Sequence, residues 1–178
     1  GGKCEVYGYQ WNSDIAPDFN AARNAADLHG QFGPFAQFLK DVQNDCPDTS
    51  INIGAHSLGS RIALSAMSQV GNGVGKITSM VLVGAAVDGE TIQSDGEFGN
   101  AANWVDNIFV TQDQNDAVLT GYEFEEFDTA LGKRGADDKK KVAANVHVKF
   151  QNFGGDHSAV LDKNKNAAFW TEYAGKIK

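Results

Sequence analysis

Three residues of the 178-residue chain have the types that nucleophilic acyl transfer requires: Ser57 in "INIGAHSLGSRIAL", Asp116 in "TQDQNDAVL" and His157 in "FGGDHSAVL". A serine hydroxyl is a weak nucleophile near neutral pH and needs an adjacent base. A neutral imidazole has a suitable pKa, and a carboxylate fixes its tautomer and stabilises the imidazolium that forms. The order along the chain is Ser, Asp, His, with separations of 59 and 41 residues. Asp113 and Asp88 are alternative acids, each close to the end of an apolar run. Asp156 adjoins His157 and reads as a turn residue. Taken alone, "HSLG" also fits a helix N-cap at Ser57. His56 is expected on the other side of its strand with a structural role. His147, between Val146 and Val148, is expected on a sheet face, and His29 within a helix.

Three such residues meet only if each follows a strand of one sheet. Residues 4–11, "CEVYGYQW", alternate and are aromatic-rich, which predicts a strand. Residues 20–43 have helical spacing of apolar side chains, interrupted at Gly33-Pro34. "INIGA" (51–55) predicts a strand and 58–70 a helix. Gly71, Gly73 and Gly75 follow that helix with no GK[ST], so they read as a helix stop and not a phosphate loop. The continuous apolar run 77–87 predicts a strand covered on both faces. Residues 104–111 and 145–153 predict two more strands, 112–119 and 130–144 connecting loops, and 164–177 a closing amphipathic helix. Strands alternating with helices predict a mostly parallel sheet with helices on both faces. Side chains that do chemistry then collect at the carboxyl ends of its strands. The loop after the third strand, about 16 residues, is too short for a large lid, which favours short or soluble substrates.

The composition is globular, 42% hydrophobic and 10% aromatic, and predicts one domain over residues 1–178. A net charge of −8 argues against a nucleic-acid partner. The basic run Lys139–Lys141 follows Asp137 and Asp138 and reads as a solvated loop. No apolar stretch approaches the roughly 20 residues that span a bilayer. The chain opens at Gly1-Gly2 with no Met, so a native start and any targeting segment are expected upstream. Cys4 and Cys46 either pair as one disulfide or remain two separate buried thiols. They form no CxxC and no metal-like cluster with the histidines, so neither a metal nor a cofactor is expected.

"AHSLGSR" resembles the nucleophile elbow of lipase- and esterase-like α/β hydrolases, with Ala55 where glycine is commoner. The resemblance extends over most of residues 4–175. "YGYQWNSD" is similar to the strand end before the long helix in one branch, "NDAVL" to its acid-bearing loop, "ALGKRGA" to its connection to the last strand and "GDHSAVL" to its histidine loop. Similarity to some secreted archaeal hydrolases favours an extracellular setting. The resemblance implies a three-layer α/β-hydrolase fold and a serine hydrolase cleaving small-molecule carboxylic esters. It implies Ser57 as nucleophile, His157 as base, Asp116 as acid and the Leu58 N–H as an oxyanion donor. The family's His-Gly oxyanion loop has no counterpart here, so the fold is expected to be N-terminally truncated. The segment carrying that loop would be a separate chain or lie upstream, with Asn12 or Ser13 as fallback donors. Losing one donor costs about 10²–10³ in rate. A non-catalytic binding or structural module on the same fold is the alternative function.

Overall fold

Four strands lie side by side in chain order: β1 (Asn52–His56), β2 (Ile77–Val83), β3 (Val105–Gln112) and β4 (Val146–Phe150). All three pairings are parallel, with His56 opposite Val83, Leu82 opposite Val110 and Val110 opposite Val148. The carboxyl ends therefore come together at one edge of the sheet. The computed structural model describes residues 5–12, 18–31, 33–69, 77–162, 164 and 166–174. Among the described residues six α-helices accompany the strands: α1 (Phe19–Gln31), α2 (Pro34–Asp45), α3 (Gly59–Gln69), α4 (Ala117–Glu126), α5 (Leu131–Arg134) and α6 (Ala167–Ala174). None of the described helices is long and apolar enough to cross a membrane.

The expected parallel sheet with helices on both faces is present. Met80, Leu82, Ile108 and Val110 point to one face and pack with Leu64 and Met67 of α3 and Leu39 of α2. Val81, Val83 and Phe109 point to the other and pack with Val160 and with Phe169 and Tyr173 of α6. Double coverage is why β2 is apolar without alternation. Each large apolar side chain buried here contributes about 1.5–3 kcal/mol. α3 is tied sideways as well. Arg61, 2% exposed, donates to Asp27 of α1 at 2.5 Å and to Glu97 at 3.0 Å, and its guanidinium lies over the Phe98 ring. The helical run after the N-terminal segment divides at Gly33-Pro34 as its sequence predicts. Pro34 lacks the N–H that would continue α1, and a Cβ on Gly33 would lie 1.9 Å from the His29 carbonyl oxygen.

Four expectations are corrected. Residues 5–12 are not a strand. They run over α1 and α2, where Tyr9 packs on Phe35 at 4.9 Å and Tyr7 on Phe38 at 5.6 Å. Alternation makes a strand only where a neighbour completes the ladder, and here the alternate aromatics meet helices instead. The outer edge of β1 pairs with no described strand. The apolar run that begins β2 ends as a strand at Val83, because Gly84 turns with φ +53°, although Ala85–Val87 remain buried. The stretch after β3 is the helix α4 and not a loop, and α5 interrupts the next connection. Cys46 is exposed, against the buried-thiol reading, whereas Cys4, Ser13 and the glycines 71, 73 and 75 lie outside the described residues.

Candidate active site

Every strand contributes to the carboxyl edge of the sheet. β1 ends in His56, and the chain then reverses through Ser57, whose φ is +55°. This left-handed conformation is uncommon for a residue with a Cβ and costs roughly 1–2 kcal/mol. Backbone bonds impose it. Ser57 N–H donates to Val83 O at 2.9 Å, while Ser57 O accepts from Ser60 N at 3.0 Å and Ala86 N at 3.3 Å. α3 begins two residues later, so the Leu58 N–H lies at its positive end, and it donates to no acceptor among the described residues. The half-buried Leu58, next in sequence to Ser57, packs on an apolar cluster of Ala86, Leu119, Tyr122 and Ala130 that Phe19 also covers.

Beyond β3, Asp116 caps α4. Its Oδ1 accepts the Leu119 N–H at 2.9 Å, and its Oδ2 accepts from His157 Nδ1 at 2.7 Å. Burial pushes this carboxyl up, but the bonds from His157 and from the Leu119 amide outweigh burial and hold it below the usual range. A carboxylate only accepts, so His157 carries its proton on Nδ1. Nε2 is then the ring's acceptor, and it is buried with no hydrogen-bond partner. The His157 ring lies against Gly84, whose glycine is required twice: its φ is +53°, and a Cβ would stand 3.0 Å from His157 Cε1 and 3.2 Å from Nδ1. Ser57 bonds to Val83 and Ala86 on either side of this glycine, which sets the serine turn next to the imidazole.

Asp116 and His157 are thus brought together, and the Ser57 backbone is bonded to the segment around Gly84 that the His157 ring touches. No hydrogen bond joins Ser57 Oγ to His157 Nε2, which has no partner among the described residues. Such contacts are often loose without substrate. The two alternative acids are engaged elsewhere. Asp113 Oδ2 accepts from Phe153 N at 2.8 Å and Gly155 N at 3.4 Å, which docks the histidine loop on the acid loop. Asp88 accepts from Tyr122 Oη at 2.9 Å and pairs with Arg23 at 3.2 Å. The oxygen of Asp156 takes the Ser158 N–H in a turn, as expected. His147 stacks on Phe109, and His29 Nδ1 faces Tyr9 Oη at 2.9 Å.

Two residues of the edge were missed or misplaced by sequence reasoning. Gly84 was hidden inside an apolar run, its one signal being a glycine at the strand's end. His56 was assigned to the far side of the strand, yet its Nε2 lies 2.9 Å from the His157 carbonyl oxygen. Among the described residues, Glu90, Asp128 and Asp137 could hold a cation, with one carboxylate oxygen from each within 4.8 Å of the others. Such carboxylate groups are common without an ion, and no chemistry is assigned to this one.

The chain matches no curated protein. Residues 12–123, more than half of the chain, match the family described as "alpha/beta hydrolase of unknown function (DUF900)". That match takes in the serine turn and the Asp116 cap, and the parallel sheet with helices on both faces agrees with it. The chain belongs to this α/β-hydrolase family.

Proposed function

We propose that the protein is a serine hydrolase of carboxylic esters, working through Ser57, His157 and Asp116. One observation carries the reading: an imidazole with Nδ1 bonded to a buried carboxylate and Nε2 buried and bare, its ring against Gly84, whose flanking residues bond the backbone of the strained Ser57 turn. In the first half-reaction Ser57 Oγ attacks the ester carbonyl carbon and its proton passes to His157 Nε2. Asp116 stabilises the imidazolium so formed. The Leu58 N–H, at the positive end of α3, donates to the oxyanion. As the C–O bond breaks, His157 returns the proton to the leaving alcohol and an acyl-serine remains. Water then attacks the acyl carbon, giving its proton to Nε2, and collapse releases the carboxylic acid and restores the serine. The apolar side chains of Leu58 and Phe19 suit the hydrocarbon part of the substrate.

The test is labelling by a fluorophosphonate together with hydrolysis of p-nitrophenyl esters of graded acyl length. Ser57 is expected to take the label, and Ser57→Ala to lose both labelling and turnover while remaining folded. Hydrolysis surviving in Ser57→Ala above a few per cent would mean another nucleophile. The unmade Ser57–His157 hydrogen bond favours a second reading, a non-catalytic module on the same fold. That reading requires wild-type protein that neither labels nor hydrolyses.

A further inference from the structure

The loop that carries His157 is anchored unevenly. On the acid side it has three ties: Phe153 N and Gly155 N donate to Asp113, and Gly155 O accepts from Ala117 N at 3.4 Å. The loop also contains Gly154 and Gly155, both at positive φ, where the backbone has the most freedom. On the nucleophile side the tie comes from His56, the last residue of β1. Its Nε2 is 2.9 Å from the carbonyl oxygen of His157 itself. A carbonyl only accepts, so His56 carries its proton on Nε2. The two rings lie 4.7 Å apart at 48°. Consecutive residues of one strand end therefore hold the serine turn and the backbone of the base.

We infer that His56 is a positioning residue: by donating to the His157 carbonyl it sets the distance between the Ser57 turn and the imidazole. The inference rests on the serine-hydrolase reading for its catalytic consequence, but not for the clamp itself. The base must move a proton to and from a serine that is not yet bonded to it, so a shift of about 1 Å in the loop would weaken transfer by as much as 10²-fold. A substrate-contacting residue would act on binding as well. A positioning residue lowers kcat with KM nearly unchanged.

The experiment compares His56→Phe, which keeps a ring but removes the donor, with His56→Gln, whose amide nitrogen reaches nearly the same point. His56→Phe should lose about 10- to 100-fold in kcat at constant KM, and His56→Gln should recover to within about threefold of wild type. Equal loss in both variants, or no loss in His56→Phe, overturns the inference. Two readouts need no turnover. Ring nitrogen shifts of the wild-type protein should show His56 as the Nε2–H tautomer, and the opposite tautomer overturns the inference even if His56→Phe fails to fold. Amide exchange at His157 and Ser158 should quicken in His56→Phe and not in His56→Gln, and unchanged exchange overturns it. Wild-type protein that neither labels nor hydrolyses would remove the hydrolase reading, while tautomer and exchange still decide the clamp.

Discussion

Replacing Asp116 by Asn tests the acid in a way that separates chemistry from folding. The carboxylate is 3% exposed and does two jobs: Oδ1 accepts the Leu119 N–H that starts α4, and Oδ2 accepts Nδ1–H of His157. An asparagine keeps one carbonyl oxygen, which can hold the cap. Its amide nitrogen then faces Nδ1, and two donors cannot share that bond. The imidazole responds by moving its proton to Nε2, the atom that should receive the serine proton. Wrong-tautomer replacements of this kind cost about 10⁴ in turnover, or about 5 kcal/mol of barrier. With the cap retained, stability should change by less than about 1 kcal/mol, a melting shift of at most about 2–4 °C for a chain of this size. Asp116→Ala removes the cap as well and should melt lower by about 1 kcal/mol more. The assay pairs kcat for a p-nitrophenyl ester with a thermal melt. Asp88→Asn is the control, because that carboxylate is taken by Tyr122 and Arg23. Turnover within tenfold of wild type in Asp116→Asn would refute the assignment, and a deeper loss in Asp88→Asn would move the acid there.

Gly84→Ala should lower kcat sharply and destabilise by about 1–2 kcal/mol, since a Cβ would enter at +53° and press on the imidazole from 3.0 Å; near-normal kcat would mean that His157 does not work from this position. Ser57→Gly should abolish turnover yet raise stability by about 1 kcal/mol, because the turn no longer forces a Cβ into the left-handed region, whereas Ser57→Ala should show no such gain in a thermal melt. Burial lowers the His56 pKa below its ordinary value of about 6.5, against the opposing bond to the His157 carbonyl, with the His157 ring pulling it down a little further and the Asp116 carboxylate pulling it up. The unfolded chain then binds the proton more readily, so stability should fall as pH drops through about 6.5 towards the lower folded value and stay level above it; urea unfolding from pH 7.5 to 5 should show this slope in wild type and not in His56→Gln. The lowered Asp116 pKa acts in the same direction at lower pH: its contribution is complete above about 4 and is lost only as pH falls through its folded value.

The sheet was readable wherever burial alone writes the pattern. β2 is covered by α3 on one face and α6 on the other, so its residues had no choice but to be apolar. β1 and β3 sit between turn-rich stretches that mark where they stop. The segment 5–12 carried an equally good strand pattern and formed none. Its pattern reports that alternate side chains need apolar contact, and Phe35 and Phe38 supply it from α2. Whether an extended segment becomes a strand depends on a neighbour's free edge, which no local window contains. α4 was missed for the opposite reason. Its start signal is a single capping aspartate, and that aspartate had been read for its chemistry. Asp116 does both, because a carboxylate oriented by an amide of its own helix has its second oxygen aimed away from that helix and towards the next loop.

The same logic explains which parts of the candidate site could be foreseen. Ser57, Asp116 and His157 were found from residue type and from their places just beyond strands, and a parallel sheet converts those places into one edge without further information. Position could not distinguish Asp116 from Asp113, three residues apart on one loop. Hydrogen bonds distinguish them: Asp113 spends Oδ2 on backbone amides of the histidine loop and Oδ1 on the Asn115 N–H, and Asp116 keeps one oxygen for the imidazole. His56 was misplaced because alternation was carried one residue too far. Within a strand, neighbours face opposite sides, and a serine aimed at the site would leave its predecessor aimed away. At Ser57 the backbone leaves the strand with φ +55°, and β1 ends there. The serine's direction is then set by the turn and not by the pleat, so His56 can also lean across the sheet's edge. The left-handed turn at Ser57 is thus what frees the preceding side chain to reach the His157 loop.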